Sequence, residues 1–302
     1  MSKIVVVGSS NTDMVIKMDH LPAPGETILG GEFFMNPGGK GANQAVAAAK
    51  LGGDVVFIAR VGNDVFGKEA VQGFNNEGIH TEFIVTDPES PSGVATIMVD
   101  AKGENSIAVA SGANNALSAT DVDQAMERIQ AADVLLMQLE TPLQTVEYAA
   151  EIGSREGIKV ILNPAPAQVL SDHLLGLLDV ITPNETEAGL LTGIKVEDVE
   201  SAGKAAGILR GKGVGIVIVT LGSQGAYVRS DSFSGLVPAR KATVVDTTAA
   251  GDTFNGALAV GLADGLGIEA ATEFANKAAS ISVTRLGAQS STPQLEELDG
   301  IE

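Results

Sequence analysis

The sequence predicts an α/β fold: a central, mostly parallel sheet flanked by helices on both faces, with a small β-sheet projecting beside it. Three observations predict it. Short branched-apolar runs recur along the chain (KIVVVG, DVVFIARVG, DVLLMQLE, IKVILNP, DVITP and GIVIVTLG), and such unbroken runs are what strands buried on both faces require. Between them lie Ala-rich stretches (GANQAVAAAKLG, TVEYAAEIGSREG, VESAGKAAGILRG and TEFANKAASISVTR). Their apolar residues recur near the helical period, as expected of helices packed on a sheet. Two stretches break this rhythm, residues 26–36 (ETILGGEFFMN) and 93–112 (GVATIMVDAKGENSIAVASG). The second reads as two alternating strands around a Gly-containing turn.

In chain order, KIVVVG is the first buried strand. The segments that break the rhythm, with strands at about 13–37 and 93–110, are expected to form a lid or a dimer contact projecting from a single domain spanning 1–302; an extension of the main sheet is the other reading. The stretch NPGGKGANQAVAAAKLG sets Gly38, Gly39 and Gly41 at the entrance to a helix, where backbone and ligand can approach closely. GNDVFGKE has the spacing of a phosphate loop but ends in Glu69, where a Mg²⁺-binding Ser or Thr is required, so it reads as strand, turn and surface helix. The first strand is followed by GSSNTD, which lacks the glycines of a dinucleotide fingerprint. Near the far end, TVVD is expected to end a strand, TTAAG to turn, and TFNGALAVGLADG to form a helix.

With 302 residues, 44% of them hydrophobic, the chain can bury a sizeable core. Its formal charge of −19 opposes binding to nucleic acid or anionic membranes. A small anionic ligand is still compatible with that charge, because helix-start amides and a few local cations suffice. There is no cysteine, which removes disulfides, thiolate metal sites and a Cys nucleophile. The N-terminal apolar stretch is too short for a signal peptide or a span, so a cytoplasmic location is expected.

Ligands of open parallel sheets sit at the carboxyl ends of the strands. The polar residues there are Asn11 and Asp13, Glu140, Asn163, Asn184 and Glu187, Gly222 and Gly225, and Asp252. A lone carboxylate at such a turn is commonly a helix cap; several along one edge suggest a site. In AAGD, the amides of Ala249, Ala250, Gly251 and Asp252 are expected as open first-turn donors, suited to a transferring phosphoryl group. Asp252 would repel that anion unless it accepts the proton of a hydroxyl attacking the phosphorus. A capping role is the alternative for Asp252, and a purely structural turn the alternative for the glycine-rich entry.

NPGGKGANQAVAAAKLG near one end and DTTAAGDTFNGAL near the other, with TPNETEA and TLGSQGAYV between them, resemble the paired motifs of the ribokinase family of carbohydrate kinases over essentially the whole chain. The resemblance implies an ATP-dependent sugar kinase acting on the 5-hydroxyl of D-ribose to give D-ribose 5-phosphate. Kinases of 2-deoxyribose or fructose, and a catalytically silent sugar-binding protein, are the alternatives. It implies Asp252 as general base, with the amides of Ala249, Ala250 and Gly251 as the anion hole. Asn11, Asp13, Gly39, Lys40, Asn43 and Glu140 would hold the sugar. Thr220, Leu221, Gly222, Ser223 and Gly225 would line the nucleotide, with Asn184 and Gly251 beside its phosphates and Asn276 near the adenine or its ribose. Asn184 and Glu187 would organise Mg²⁺, mostly through water. Asp246, Thr248, Ser282, Arg285, Gly287 and Ser291 would hold an activating K⁺, mostly through backbone carbonyls; a turn-forming Asp246 without an ion is the other reading. A homodimer through the lid is also implied.

Overall fold

The structure is a computed structural model that describes residues 2–299. The chain opens with β1 (Lys3–Val7), whose last four residues are buried. It then leaves the plane of the central sheet to form the antiparallel pair β2 (Asn11–Lys17) and β3 (Glu32–Gly38). Helix α1 (Lys40–Lys50) returns it to β4 (Asp54–Gly62), parallel to β1. Asp64 caps α2 (Val65–Asn76) by accepting from the Gly67 amide, and β5 (Ile84–Asp87) follows. A second excursion, β6 (Gly93–Val99) and β7 (Asn105–Ala110), turns through Gly103 at φ +85°.

The short helices α3 (Ala119–Gln124) and α4 (Met126–Gln130) lead to β8 (Val134–Met137) on the other side of β1. From there α5 (Leu143–Glu156), β9 (Lys159–Leu162), α6 (Asp172–Gly176), β10 (Val180–Ile181), α7 (Glu185–Thr192), α8 (Val199–Gly211) and β11 (Ile216–Thr220) extend the sheet in one direction. The strands β12 (Gly225–Arg229) and β13 (Ser234–Pro238) close that edge antiparallel. Helices α9 (Ala250–Ala263) and α10 (Ile268–Ser282) then pack on each other, and α11 (Leu295–Asp299) ends the described chain.

The central sheet has the order β13-β12-β11-β10-β9-β8-β1-β4-β5. Alternation along β1 shows why its strands are apolar throughout: Val5 and Val7 join the core covered by α5 and α8, while Ile4 and Val6 join the core covered by α1, α9 and α10. The second sheet, order β3-β2-β6-β7, is separate from the first. Phe33 and Met35 on β3 and Ile107 and Val109 on β7 are exposed, so the small sheet presents apolar side chains to solvent.

Two expectations are corrected. Residues 26–31 are irregular, and the strand begins only at Glu32. Residues 243–246 (TVVD) form no strand either. The sheet edge is already closed by β13, so this segment has no ladder to join. It runs across the end of α10, with the amides of Val245 and Asp246 both donating to the Val283 carbonyl, and Val244 and Val245 exposed.

Helices α1 and α9 meet at Gly256, where a Cβ would lie 2.6 Å from Ala47 Cβ and 2.8 Å from the Gln44 carbonyl oxygen. This near-contact of backbones sets the starts of both helices side by side. Gly256→Val is expected to destabilise the fold by about 1–3 kcal/mol or more through overpacking. Chemical denaturation checks this; an unchanged midpoint would show that the helices can separate freely.

Candidate active site

The glycine-rich entry to α1 is built by backbone lying against backbone. Gly39 sits at φ +89°, and a Cβ there would come within 2.7 Å of the Asn11 amide nitrogen; one on Gly41 would come within 2.4 Å of the Ser9 nitrogen. This proximity lets the Lys40 amide donate to Glu140 Oε2 at 2.9 Å, and the Ser9 hydroxyl to the same oxygen at 2.6 Å. Glu140 thereby joins the end of β8 to the start of α1, where the helix dipole favours a carboxylate. Asn11 is buried and accepts from Asn114 Nδ2 at 2.7 Å, and Asp13 lies half-buried on β2.

Asp252, in the first turn of α9, is 7% exposed. Asn43 Nδ2 donates to its Oδ2 and Gln44 Nε2 to its Oδ1, both at 2.9 Å. Burial pushes its carboxyl up from the ordinary range, while the Lys40 charge and the two amide donors work to bring it down. Among the described residues, Lys40 is a cation set against several acids. Burial would lower its pKa, but Asp252, Glu140, Glu187 and Asp13 together outweigh that and raise it. Asp13 is pushed up to about 6, chiefly by burial and then by Glu140 and Asp252, with Lys40 opposing.

The start of α9 departs from a regular cap. Ala249 adopts φ 58°, ψ 15°, a left-handed conformation that costs a non-glycine residue roughly 1 kcal/mol or more. The expectation of four open amides is corrected at one position: the Ala250 amide donates to the Thr247 carbonyl at 3.2 Å, because the tight turn folds it back. Among the described residues, the amides of Ala249, Gly251 and Asp252 have no protein acceptor. A Cβ on Gly251 would meet nothing within 4 Å, so the space at this helix start is open.

Asn184 and Glu187 cap α7 reciprocally: the Glu187 amide donates to Asn184 Oδ1 at 2.8 Å, and the Asn184 amide to Glu187 Oε2 at 2.9 Å. Burial raises the Glu187 carboxyl against the Asn184 bond and Lys40. Beside them, the Thr220 amide donates to the Pro183 carbonyl, and the Leu221 amide to the Gly225 carbonyl across the exposed Gly222–Ser223 turn. Asn276 donates through Nδ2 to the Val237 and Pro238 carbonyls, tying α10 to β13.

In the candidate cation loop, Asp246 Oδ1 accepts from the Thr248 amide and hydroxyl, and Oδ2 from the Gly287 amide at 2.9 Å. Burial works to raise Asp246, but these bonds hold it below the usual carboxylate range. The hydroxyls of Ser282 and Ser291 donate to the Ala279 and Ala288 carbonyls. Arg285 pairs with Glu297.

Sequence reasoning missed Ser9, Gln44 and Gln289. Gln289 Nε2 donates to Asn43 Oδ1 at 3.3 Å, linking the 285–291 loop to the same helix start. The available signal was position: Ser9 lies at a strand end, and Gln44 directly follows Asn43.

A buried carboxylate beside open helix-start amides, at the carboxyl edge of a parallel sheet, is the layout of an enzyme that moves a phosphoryl group onto a hydroxyl. The pattern described as pfkB family carbohydrate kinase matches residues 1–295. The chain is 49% identical to a ribokinase of Haemophilus influenzae over 97% of this chain and 96% of that one. It is 40% identical to a deoxyribokinase of Salmonella typhi, covering 98% and 97% of the two chains. The structure of Arabidopsis thaliana ribokinase complexed with ribose and ATP superposes with a TM-score of 0.92 at 34% identity, covering 100% of both chains. The chain belongs to the pfkB family of carbohydrate kinases.

The elevated Asp13 fixes the sign of one prediction. Between the unfolded carboxylate value and about 6, the folded state binds more protons than the unfolded one, so Asp13 lowers stability as pH rises through that window. Asp13→Asn should therefore raise the melting temperature at pH 7, with the gain fading as pH falls below the ordinary Asp pKa. Thermal unfolding across pH tests this; an equal effect at all pH values would remove the carboxylate as its source.

Proposed function

We propose that this enzyme transfers the γ-phosphoryl group of ATP to the 5-hydroxyl of D-ribose, giving D-ribose 5-phosphate, with Asp252 as general base. The observation that carries the reading is Asp252 itself, buried, held by two amide donors and adjacent to the open amides of Ala249, Gly251 and Asp252. Asp252 accepts the hydroxyl proton as the new P–O bond forms and the bond from the γ-phosphorus to the β–γ bridging oxygen breaks, releasing ADP, and the open amides stabilise charge developing on the phosphoryl oxygens. Asn11, Asp13, Gly39, Lys40, Asn43 and Glu140 hold the sugar. Residues 220–225 line the nucleotide, with Asn276 at the adenine end.

The carboxylate of Glu187 and the amide oxygen of Asn184 are hard oxygen ligands of the kind that suits a Mg²⁺ carried mostly by phosphates and water. Asn184 and Glu187 would hold it, and when bound it would offset charge on the triphosphate. The bonding of Asp246 to Thr248 and Gly287 supports a K⁺ site spanning these two loops. The small sheet acts as a lid, and its exposed Phe33 and Met35 fit a second copy of the chain in a homodimer. Among the described residues no helix is long and apolar enough to cross a membrane; we place the enzyme in the cytoplasm, where its ATP is.

The deoxyribokinase relative favours one second reading, with 2-deoxyribose as acceptor. A pocket built to bond a hydroxyl rejects the analogue lacking it by up to about 10⁴–10⁵-fold. ATP consumption with Mg²⁺, measured on ribose, 2-deoxyribose and fructose with and without K⁺, is expected to show ribose turnover that rises with K⁺. Turnover of another sugar alone would discard the ribose assignment. Asp252→Asn should lower kcat by about 10²–10⁴ with sugar binding retained; near-normal turnover would remove Asp252 as the base.

A further inference from the structure

We infer that Gln44 is a positioning residue for Asp252, presenting a fixed N–H to Oδ1 from a side chain that its own neighbours lock in orientation. This inference rests on Asp252 being the base. Gln44 is 0% exposed and lies on α1. Its Nε2 donates to Asp252 Oδ1 at 2.9 Å and to Asn163 Oδ1 at 3.0 Å, while its Oε1 accepts from Gln138 Nε2 at 2.6 Å. Both N–H bonds of the amide are therefore committed.

The direction of these bonds is dictated from the backbone. Asn163 Nδ2 donates to the Thr182 carbonyl at 3.2 Å, and a carbonyl can only accept. Asn163 must then present its oxygen to Gln44, and Gln44 must present its nitrogen. A flipped Gln44 amide would face three mismatched contacts, oxygen against Asn163 and Asp252 and nitrogen against the Gln138 amino group. The carboxylate thus meets a donor that cannot rotate away.

The arrangement is kept at a cost. Gln138 Oε1 is buried without a partner, and an unsatisfied buried acceptor carries a desolvation penalty. It fits only because Gly8 lacks a side chain; a Cβ there would lie 2.2 Å from that oxygen. A tie that merely joined α1 to the sheet could be apolar and avoid the penalty.

Asn43 serves the other oxygen of Asp252 but also belongs to the proposed sugar set. Gln44, fully buried, bonds Asp252, Asn163 and Gln138 and is outside the proposed sugar set. The charged groups around Asp252 are Lys40 on α1, Glu140 after β8, Asp13 on β2 and Glu187 on α7. Only Lys40 favours the ionised base, so an N–H bond to the carboxylate is needed against the rest.

The test is kcat and kcat/KM for ribose against pH, with ATP, Mg²⁺ and K⁺, for the full-length enzyme and for Gln44→Met, Gln44→Glu and Gln138→Met. Gln44→Met removes the donor, and the acid limb should move to higher pH by about one unit. Gln44→Glu keeps the volume and the acceptor for Gln138 but sets a second carboxylate against Asp252, and should move the limb further. Gln138→Met does not touch Asp252; it releases the Gln44 amide and should move the limb in the same direction by less. It also decides the matter if the Gln44 variants fail to fold. An acid limb unmoved in all folded variants, with rates lowered by one factor at every pH, would assign Gln44 a structural role only. Turnover surviving in Asp252→Asn would instead overturn the base assignment on which this rests.

Discussion

The site depends on keeping a carboxylate in a place that does not favour charge. Asp252 is buried beside the close contact of α1 with α9, and that burial pushes its carboxyl pKa up. Three groups oppose that: the Asn43 and Gln44 amides, which donate one bond to each oxygen, and the Lys40 ammonium. All three lie within one turn of α1, so the same helix that walls off the carboxylate also supports its charge. The glycine at 256 and the glycine-rich entry at 38–41 serve one geometry, bringing two helix starts together at the carboxyl edge of the sheet.

The rest of the pocket compounds the problem. Four acids face Lys40, and burial together with their mutual repulsion raises Asp13 and Glu187. Such a cluster is a liability to folding, and on the proposed function its half-satisfied acceptors serve hydroxyl donors of the sugar.

How far the sequence could be read follows from which physics is local. The helix entries at Asp252 and at the glycines of 38–41 were legible, because runs of small residues precede Ala-rich helical segments. The two-sheet arrangement was legible from the switch between unbroken and alternating apolar runs. The strand expected at 243–246 was not there, since Val-Val carries strand propensity whether or not a sheet edge remains to pair with, and β13 had already closed it. The inward amide of Ala250 follows from a left-handed Ala249, a conformation that residue type alone does not suggest. Gln44 was hidden for another reason: glutamine on a helix is ordinarily solvated, and only the tertiary contact with Gln138 and Asn163 gives it a different duty.

Asp13 rides on β2 of the small sheet, whereas Glu140 and Asp252 are anchored to the central sheet and α9. The mutual repulsion of these carboxylates is therefore also a force between the two sheets. On the proposed sugar-binding role, hydroxyls donating to acids on both sides would reverse its sign and draw the sheets together. Sugar affinity and sheet separation then share one linked free energy, so a distance probe between the sheets and a binding isotherm are two readings of a single equilibrium.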